Sequence, residues 1–319
     1  MTSLVVVPFL SALLCWLYLL LARRLQLLDH PNDRSSHQRP TPHGGGLPLL
    51  LAFAVAVLLA GPWEDSYMVL LGLALLLMLA GVLDDLVNLS VRLRMTLYAL
   101  CCLLMVWWLM PAVNPLLGAI LALASLWLLN LYNFMDGIDG IAATQCILAC
   151  TSAALLAWVG GTPGGDSYAL FCLLLAGAQV GFLLWNWPPA RLFMGDAGSV
   201  PTGFLLAGLA VLGTVQGSLS PAAWVILLAA FITDASWTLL WRLLTGQPVT
   251  QAHRLHAYQR LSRHWSSHLA VDVLLLAINA LWLFPLAWAV QAMPEYTGIL
   301  VILAYFPLLL GMVKIARFT

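Results

Sequence analysis

Charge is what this sequence has least of. Of its 319 residues only 8% are Asp, Glu, Lys or Arg, while 62% are hydrophobic, so the chain cannot clothe a water-soluble globule in polar side chains. Its 13 basic and 13 acidic residues cancel, which leaves no basic surplus for nucleic acid. No CxxC pair occurs and no cysteine alternates with histidine. Cys15, Cys101, Cys102, Cys146, Cys150 and Cys172 all lie within apolar runs, and they read as buried thiols rather than metal ligands or disulfides. The first apolar run, Leu4 to Leu21, has no basic segment before it and no small-residue cleavage site after it; Arg23 and Arg24 follow. It reads as a retained span, not a signal peptide. With no internal repeat and no soluble stretch, residues 1–319 read as a single membrane domain.

What is present is apolar sequence in pieces of the length a bilayer requires, roughly 20 residues per helix. Polar breaks divide it into candidate spans at about 4–22, 47–61, 67–83, 95–111, 115–132, 141–159, 168–187, 199–215, 221–241, 269–290 and 296–313. The expectation is an all-α, polytopic membrane bundle of about eleven helices. Its second span, short and flanked by glycine, is the weakest. Lys and Arg beside span ends collect in the cytoplasm. With the N-terminus periplasmic and the C-terminus cytoplasmic, all 13 basic residues fall on the cytoplasmic side. The other face is left with short turns carrying Glu64, Asp65, Asp166 and Glu295. Any chemistry is therefore expected at the cytoplasmic face.

Several polar constellations reach that face. Asp84 and Asp85 close the third span; adjacent carboxylates repel unless a cation neutralises them, and magnesium, with its oxygen ligands and substrate phosphate, is suited to that. A solvated span end is the plainer reading. Asn130, Asn133, Asp136 and Asp139 recur at intervals of three before Gly140. On a helix they would share one broad face, with Gly137 and Gly140 expected to break it and admit a ligand close to the backbone; Asx residues beside glycine are also ordinary turn formers. After the seventh span, Asn186-Trp-Pro-Pro-Ala-Arg191-Leu-Phe-Met-Gly195-Asp196-Ala-Gly198-Ser199 sets a carboxylate in a glycine-bracketed turn near an arginine. That is a metal and phosphate corner, or Asp196 is a helix cap; a helix starting near Ser199 would add its N–H groups.

Between the ninth and tenth spans, His253, Arg254 and His256 lie in a loop where they can converge on a phosphate, though a basic membrane-surface loop would look the same. The first cytoplasmic loop carries Pro31-Asn32-Asp33-Arg34-Ser35-Ser36-His37 and then Pro40-Thr41-Pro42-His43-Gly44-Gly45-Gly46. Its glycines could nest an anion or simply give a flexible entry to the second span. Asp234 sits inside the ninth span, where an ionisable group is functional or paired, Arg242 being the partner within reach. Clustered carboxylates point to magnesium, magnesium to phosphate, and the surrounding bundle to a lipid.

Taken in order, the PNDRSSH and PTPHGGG loop, the Asp84-Asp85 pair, NLYNFMDGIDG, NWPPARLFMGDAGS and AHRLHAYQ resemble the polyprenyl-phosphate N-acetylhexosamine-1-phosphate transferases, glycosyltransferase family 4, along most of the chain. The AHRLHAYQ and PTPHGGG forms look closer to the bacterial branch that starts O-antigen or related lipopolysaccharide synthesis than to the peptidoglycan precursor translocase. His43 stands where that pattern has arginine. The resemblance implies an inner-membrane enzyme that passes an N-acetylhexosamine 1-phosphate from a UDP-sugar to undecaprenyl phosphate, releasing UMP. It implies Mg2+, with Mn2+ as a substitute, and admits a homodimer. By the family's motifs Asp84 or Asp85 would deprotonate or orient the lipid phosphate, with Asp139 and His253 also at the chemistry. Asp196 would hold the metal, with Asp84 and Asp85 as further ligands. Asn133, Asp136, Asp139 and Asn186 would line the nucleotide and metal pocket and Arg191 would bind substrate, while His253, Arg254 and His256 would meet the diphosphate or sugar. GlcNAc, QuiNAc and FucNAc all remain open as the sugar, as does a covalent aspartyl intermediate against direct attack. The rival classes are a transporter or lipid flippase, which should expose polar groups at both faces, and a polyprenyl-diphosphate phosphatase, which would need no nucleotide.

Overall fold

The computed structural model describes residues 2–29, 39–248 and 253–318. It is a bundle of α1 (Thr2–Arg24), α2 (Gly46–Ala60), α3 (Asp65–Val87), α4 (Val91–Leu109), α5 (Pro115–Met135), α6 (Ile141–Gly160), α7 (Gly165–Asn186), α8 (Asp196–Gln216), α9 (Pro221–Leu227), α10 (Ala229–Leu244), α11 (Ala257–Trp265), α12 (His268–Ile278), α13 (Phe284–Ala292) and α14 (Thr297–Ile315). Among the described residues, nine helices are long and apolar enough to cross a bilayer, counting α12 and α13 as one, and the bent pair α9 and α10 makes a tenth. The short apolar helix α2 adds a piece at the place of the second expected span. The chain is a multi-pass helical membrane protein.

Helix boundaries follow local chemistry. Ser90 and Asn114 cap α4 and α5, their side chains accepting from Leu93 N and Leu116 N, which satisfies amides that have no partner inside the helix. Most of α8 is buried; it runs through the middle of the bundle against α3 and α5. Around it the core is made of large side chains with no exposure, Phe53, Tyr67, Phe171, Phe204 and Trp224 among them. The buried Tyr168 hydroxyl is paired across helices rather than left in hydrocarbon: it donates to Leu209 O at 2.8 Å, and Trp224 Nε1 donates to it at 2.7 Å.

The structure departs from the sequence expectation in five places. The ninth span is not one rod: α9 and α10 meet at 73° around Leu228. The carbonyl of Leu227 accepts from Gln145 Nε2 at 3.0 Å, and Asn279 Nδ2 donates to Gln145 Oε1 at 3.1 Å, so a buried amide relay replaces the helical bond lost at the bend. The same Asn279 opens a π-helical turn, Asn279–Leu283, between α12 and α13. α8 begins at Asp196, three residues before the expected Ser199, with Gly195 in the left-handed region at φ 70° ahead of it. The loop after α10 folds into α11. Finally, the glycines of residues 44–46 are not an anion nest: Gly45 N and Gly46 N donate to Phe193 O and Met194 O at 2.8 and 2.9 Å, and a Cβ on Gly46 would run into the Gly198 backbone. They let the entry of α2 press against the start of α8. The short antiparallel pairing of Leu28–Asp29 with Thr41–Pro42 closes the neck of the first loop; Pro31 to His37 lie outside the described residues.

Candidate active site

Helix ends gather at one end of the bundle: the C-termini of α3, α5 and α7 and the N-termini of α4, α6, α8 and α12. The described basic residues lie at this same end.

Asp84 and Asp85 occupy the last turn of α3. Asp84 accepts from Leu89 N at 2.7 Å and from Arg94 Nη1 at 2.5 Å. Arg94 Nη1 also reaches Asp196 Oδ2 at 3.1 Å, so one guanidinium ties the α3–α4 turn to the first residue of α8. Asp85 is left with a longer contact, His43 Nδ1 at 3.7 Å, and its carboxylate raises the His43 pKa above the usual value. Gly81, one turn earlier, permits this approach: a Cβ there would lie 2.5 Å from Ala197 N and 2.6 Å from its Cα.

The Asn133 to Gly140 segment is the corner of α5 and α6. Its expected helix face stops at Met135, so Asp136 and Asp139 stand on a loop, ended by Gly140 at φ 80°. Asn130 stays in α5 and donates back to Leu126 O at 2.7 Å. Asn133 Oδ1 accepts from Ser199 Oγ at 2.5 Å, joining α5 to α8. Burial, then the charges of Asp196 and Asp139, push Asp136 up to about 7. Asp139 Oδ2 accepts from Ala190 N at 3.0 Å and lies 3.2 Å from His268 Nδ1, which makes it a clamp between two loops and α12. Asn186 spends its amide on the same junction, accepting from Gly140 N and donating to Leu192 O, both at 3.0 Å. The Arg191 side chain is exposed, while its backbone N donates to Trp185 O at 2.7 Å.

His253 is half-buried, and its Nδ1 accepts from Leu255 N at 3.3 Å. His256 is buried and lies tilted against His253, with ring centroids 4.8 Å apart. Arg254 passes its carbonyl to Arg263 Nη2 at 2.9 Å. Tyr258 Oη donates to Phe134 O at 3.0 Å, bringing α11 onto the Asp136 loop. Asp234 is bonded to this segment, whereas Arg242, its expected partner, donates to the Pro248 carbonyl.

Among the described residues no three His, Cys, Asp or Glu side chains come close enough to hold a metal ion alone. The donors nonetheless suit a hard dication. They are carboxylates, and Asp84 and Asp196 share the single guanidinium of Arg94, so two negative charges meet one positive charge there. Magnesium takes one or two protein carboxylates and completes its octahedron with phosphate oxygens and water.

Arg94 and His268 were not legible as site residues. The sequence does hold a signal for Arg94, because a cation in the first turn of α4 opposes the helix dipole and so calls for a specific anionic partner.

The sequence that carries these acids is similar to known proteins. Residues 67–214, which hold Asp84, Asp85, Asp136, Asp139 and Asp196, match the model of glycosyl transferase family 4. The chain belongs to that family. It is 25% identical, over 92% of both chains, to the probable undecaprenyl-phosphate N-acetylglucosaminyl 1-phosphate transferase of Bacillus subtilis. It is 27% identical to the undecaprenyl-phosphate alpha-N-acetylglucosaminyl 1-phosphate transferase of Escherichia coli, over 76% of this chain and 71% of that one. To the phospho-N-acetylmuramoyl-pentapeptide-transferase of Granulibacter bethesdensis it is 30% identical, over 57% of this chain and 62% of that one. These relatives are sugar-phosphate transferases, and this family member is a transferase enzyme of the membrane.

Proposed function

We propose that this family 4 transferase moves an N-acetylhexosamine 1-phosphate from a UDP-sugar to undecaprenyl phosphate at the cytoplasmic face of the bacterial inner membrane. UMP is released, and the lipid-linked diphosphate sugar formed starts an O-antigen type of polysaccharide. The observation that carries the reading is that Arg94 bridges Asp84 and Asp196 at the basic end of the bundle, with Asp85 next to Asp84 in the chain and Asp136 raised in part by the charge of Asp196. Eleven spans with a periplasmic N-terminus agree with that side, by the positive-inside rule.

In the reaction an oxygen of the lipid phosphate bonds to the β-phosphorus, and the bridging oxygen leaves with UMP. Asp85, the less engaged of the α3 pair, orients the lipid phosphate and takes any proton it still carries. Arg94 offsets charge on the diphosphate as it builds in the transition state. His253 presents Nε2–H to a phosphate oxygen, its Nδ1 being held as an acceptor by Leu255 N. Mg2+, held by Asp196 with Asp84 or Asp85, would neutralise the diphosphate and the leaving UMP. Holding both substrates in line supplies much of the remaining rate.

A lipid acceptor is further supported by an apolar cavity of about 250 Å3 between α10, α12 and α14, lined by Met135, Phe231, Tyr258, Leu275 and Leu308. It borders the residue before Asp136, so an isoprenoid chain lying there would present its phosphate to the acids. The deciding assay is purified enzyme with undecaprenyl phosphate, Mg2+ and a panel of UDP-N-acetylhexosamines, scored for UMP. Lipid-dependent UMP release is expected, and its absence with every nucleotide sugar defeats the proposal.

A further inference from the structure

The mechanism above has no task for Asp234, although a carboxylate in the middle of a membrane helix is costly unless it is paired or functional. Its partners are specific. Oδ1 accepts from Ala257 N at 2.9 Å, lies 3.1 Å from His256 Nδ1, and accepts from Thr238 Oγ1 at 3.2 Å; Oδ2 accepts from Tyr258 N at 2.9 Å. His256, at the N-cap of α11, makes no side-chain cap bond itself. The cap of α11 is therefore supplied from α10, a carboxylate meeting the positive end of a helix whose first amides need acceptors.

The same carboxylate favours a proton on His256 Nδ1, because the bond made by one ring nitrogen decides the tautomer. His256 is only 3% exposed, and its ring lies against His253 at 4.8 Å and Tyr258 at 5.7 Å between centroids. Tyr258 in turn holds the Phe134 carbonyl at 3.0 Å, two residues before Asp136, and leaves no room for a Cβ on Gly137. From Asp234 the contacts run to His253 through the His256 ring and to the Asp136 loop through one hydroxyl.

We infer that Asp234 is a positioning residue: its carboxylate caps α11 and grips His256 Nδ1, so that His256 acts as a keystone between His253 and the Asp136 loop instead of touching substrate. The activity readouts of this inference rest on the proposed transfer reaction, while its structural readout does not.

The test uses the full-length enzyme in detergent, with D234A, D234N, H256N and H256Q compared by amide hydrogen exchange and by kcat and KM for UMP release. D234A loses exchange protection at Ala257 and Tyr258, and its kcat falls about 100-fold while KM for the nucleotide sugar moves by no more than about threefold, as expected of a lost alignment. D234N, which keeps an acceptor for the cap, recovers about tenfold of that loss. The amide nitrogen of Asn overlays Nδ1 of His and that of Gln overlays Nε2, so H256N retains about tenfold more activity than H256Q if the Asp234 contact is what matters. Native exchange protection in D234A, or H256Q outperforming H256N, overturns the inference. If D234A does not fold, D234N and the His256 pair decide it. If the wild-type enzyme releases no UMP, the transfer reading fails, and exchange alone judges the cap.

Discussion

Arg94 Nη1 and Asp196 Oδ2 stand 3.1 Å apart, although 102 positions separate them in the chain. Asp84 shares the same nitrogen, so this guanidinium links the acid pair of α3 to the acid that opens α8. A charged pair that is only partly exposed is worth more than a surface bridge, and removing its cation leaves like charges facing one another.

Replacing Arg94 tests this directly. R94A is expected to lower kcat/KM by about 100-fold or more, as losing a donor aimed at developing charge does. R94K keeps the charge but not the forked geometry and should recover only part of the loss. Steady-state UMP release by the three enzymes checks the order; R94A at wild-type rates would remove Arg94 from the site.

Asp85 and Asp196 are assigned different work, and the assay can separate them. D85N and D196N should each abolish measurable turnover while thermal unfolding in detergent stays close to wild type, because neither carboxylate is a buried core group. D196N should also lose the dependence of thermal stability on added Mg2+, whereas D85N keeps more of it. Near-normal turnover in either variant rejects that residue's role.

Stability should depend on pH through Asp136. Its folded pKa, pushed up to about 7 from 3.8 by burial and neighbouring acids, exceeds the unfolded value, so the folded state binds the proton more tightly. Stability is then full below the unfolded pKa and is lost as pH rises through the folded one, by up to roughly 4 kcal/mol for a shift of this size. Without divalent cation, the unfolding temperature should fall between about pH 4 and pH 7 and D136N should flatten that fall. Saturating Mg2+ should flatten it too, since a cation lowers the proton affinity of nearby carboxylates. His43, raised by Asp85, contributes with the same sign. A wild-type slope that D136N leaves unchanged would place the titration elsewhere.

Most spans were legible because hydropathy sets them: among the described residues nine of the expected places hold a helix long and apolar enough to cross a bilayer, the ninth span is a bent pair, and the second is the short helix α2. The bend at Leu228 was not, since neither proline nor glycine marks it: the substitute donor to the Leu227 carbonyl is Gln145, 82 residues away. The acids of the site were legible as motifs, yet their division of labour was not. Asp139 looks in sequence like Asp136, but its oxygen is taken by Ala190 N and His268, contacts that only the packing of α7, α8 and α12 creates. Asp234 was visible as an anomaly, with Arg242 as its expected partner, because backbone amides of α11 carry no mark in a sequence.

Two glycines of α3 offer a comparison with its own control. A Cβ on Gly81 would press on Ala197 N at 2.5 Å, backbone that cannot swing aside, whereas a Cβ on Gly72 meets nothing within 4 Å. G81A must push the end of α3 from the start of α8, which separates Asp84 and Asp85 from Asp196 while leaving every charged group in place. A displacement near 1 Å costs about 100-fold in a site that works by alignment, so G81A should lose about that much kcat/KM. G72A should match wild type or be slightly more stable, since alanine favours the helix by about 1 kcal/mol over glycine. Steady-state kinetics and unfolding temperatures of both variants check the contrast. Equal activities would mean that the closeness of α3 to α8 does not set the rate.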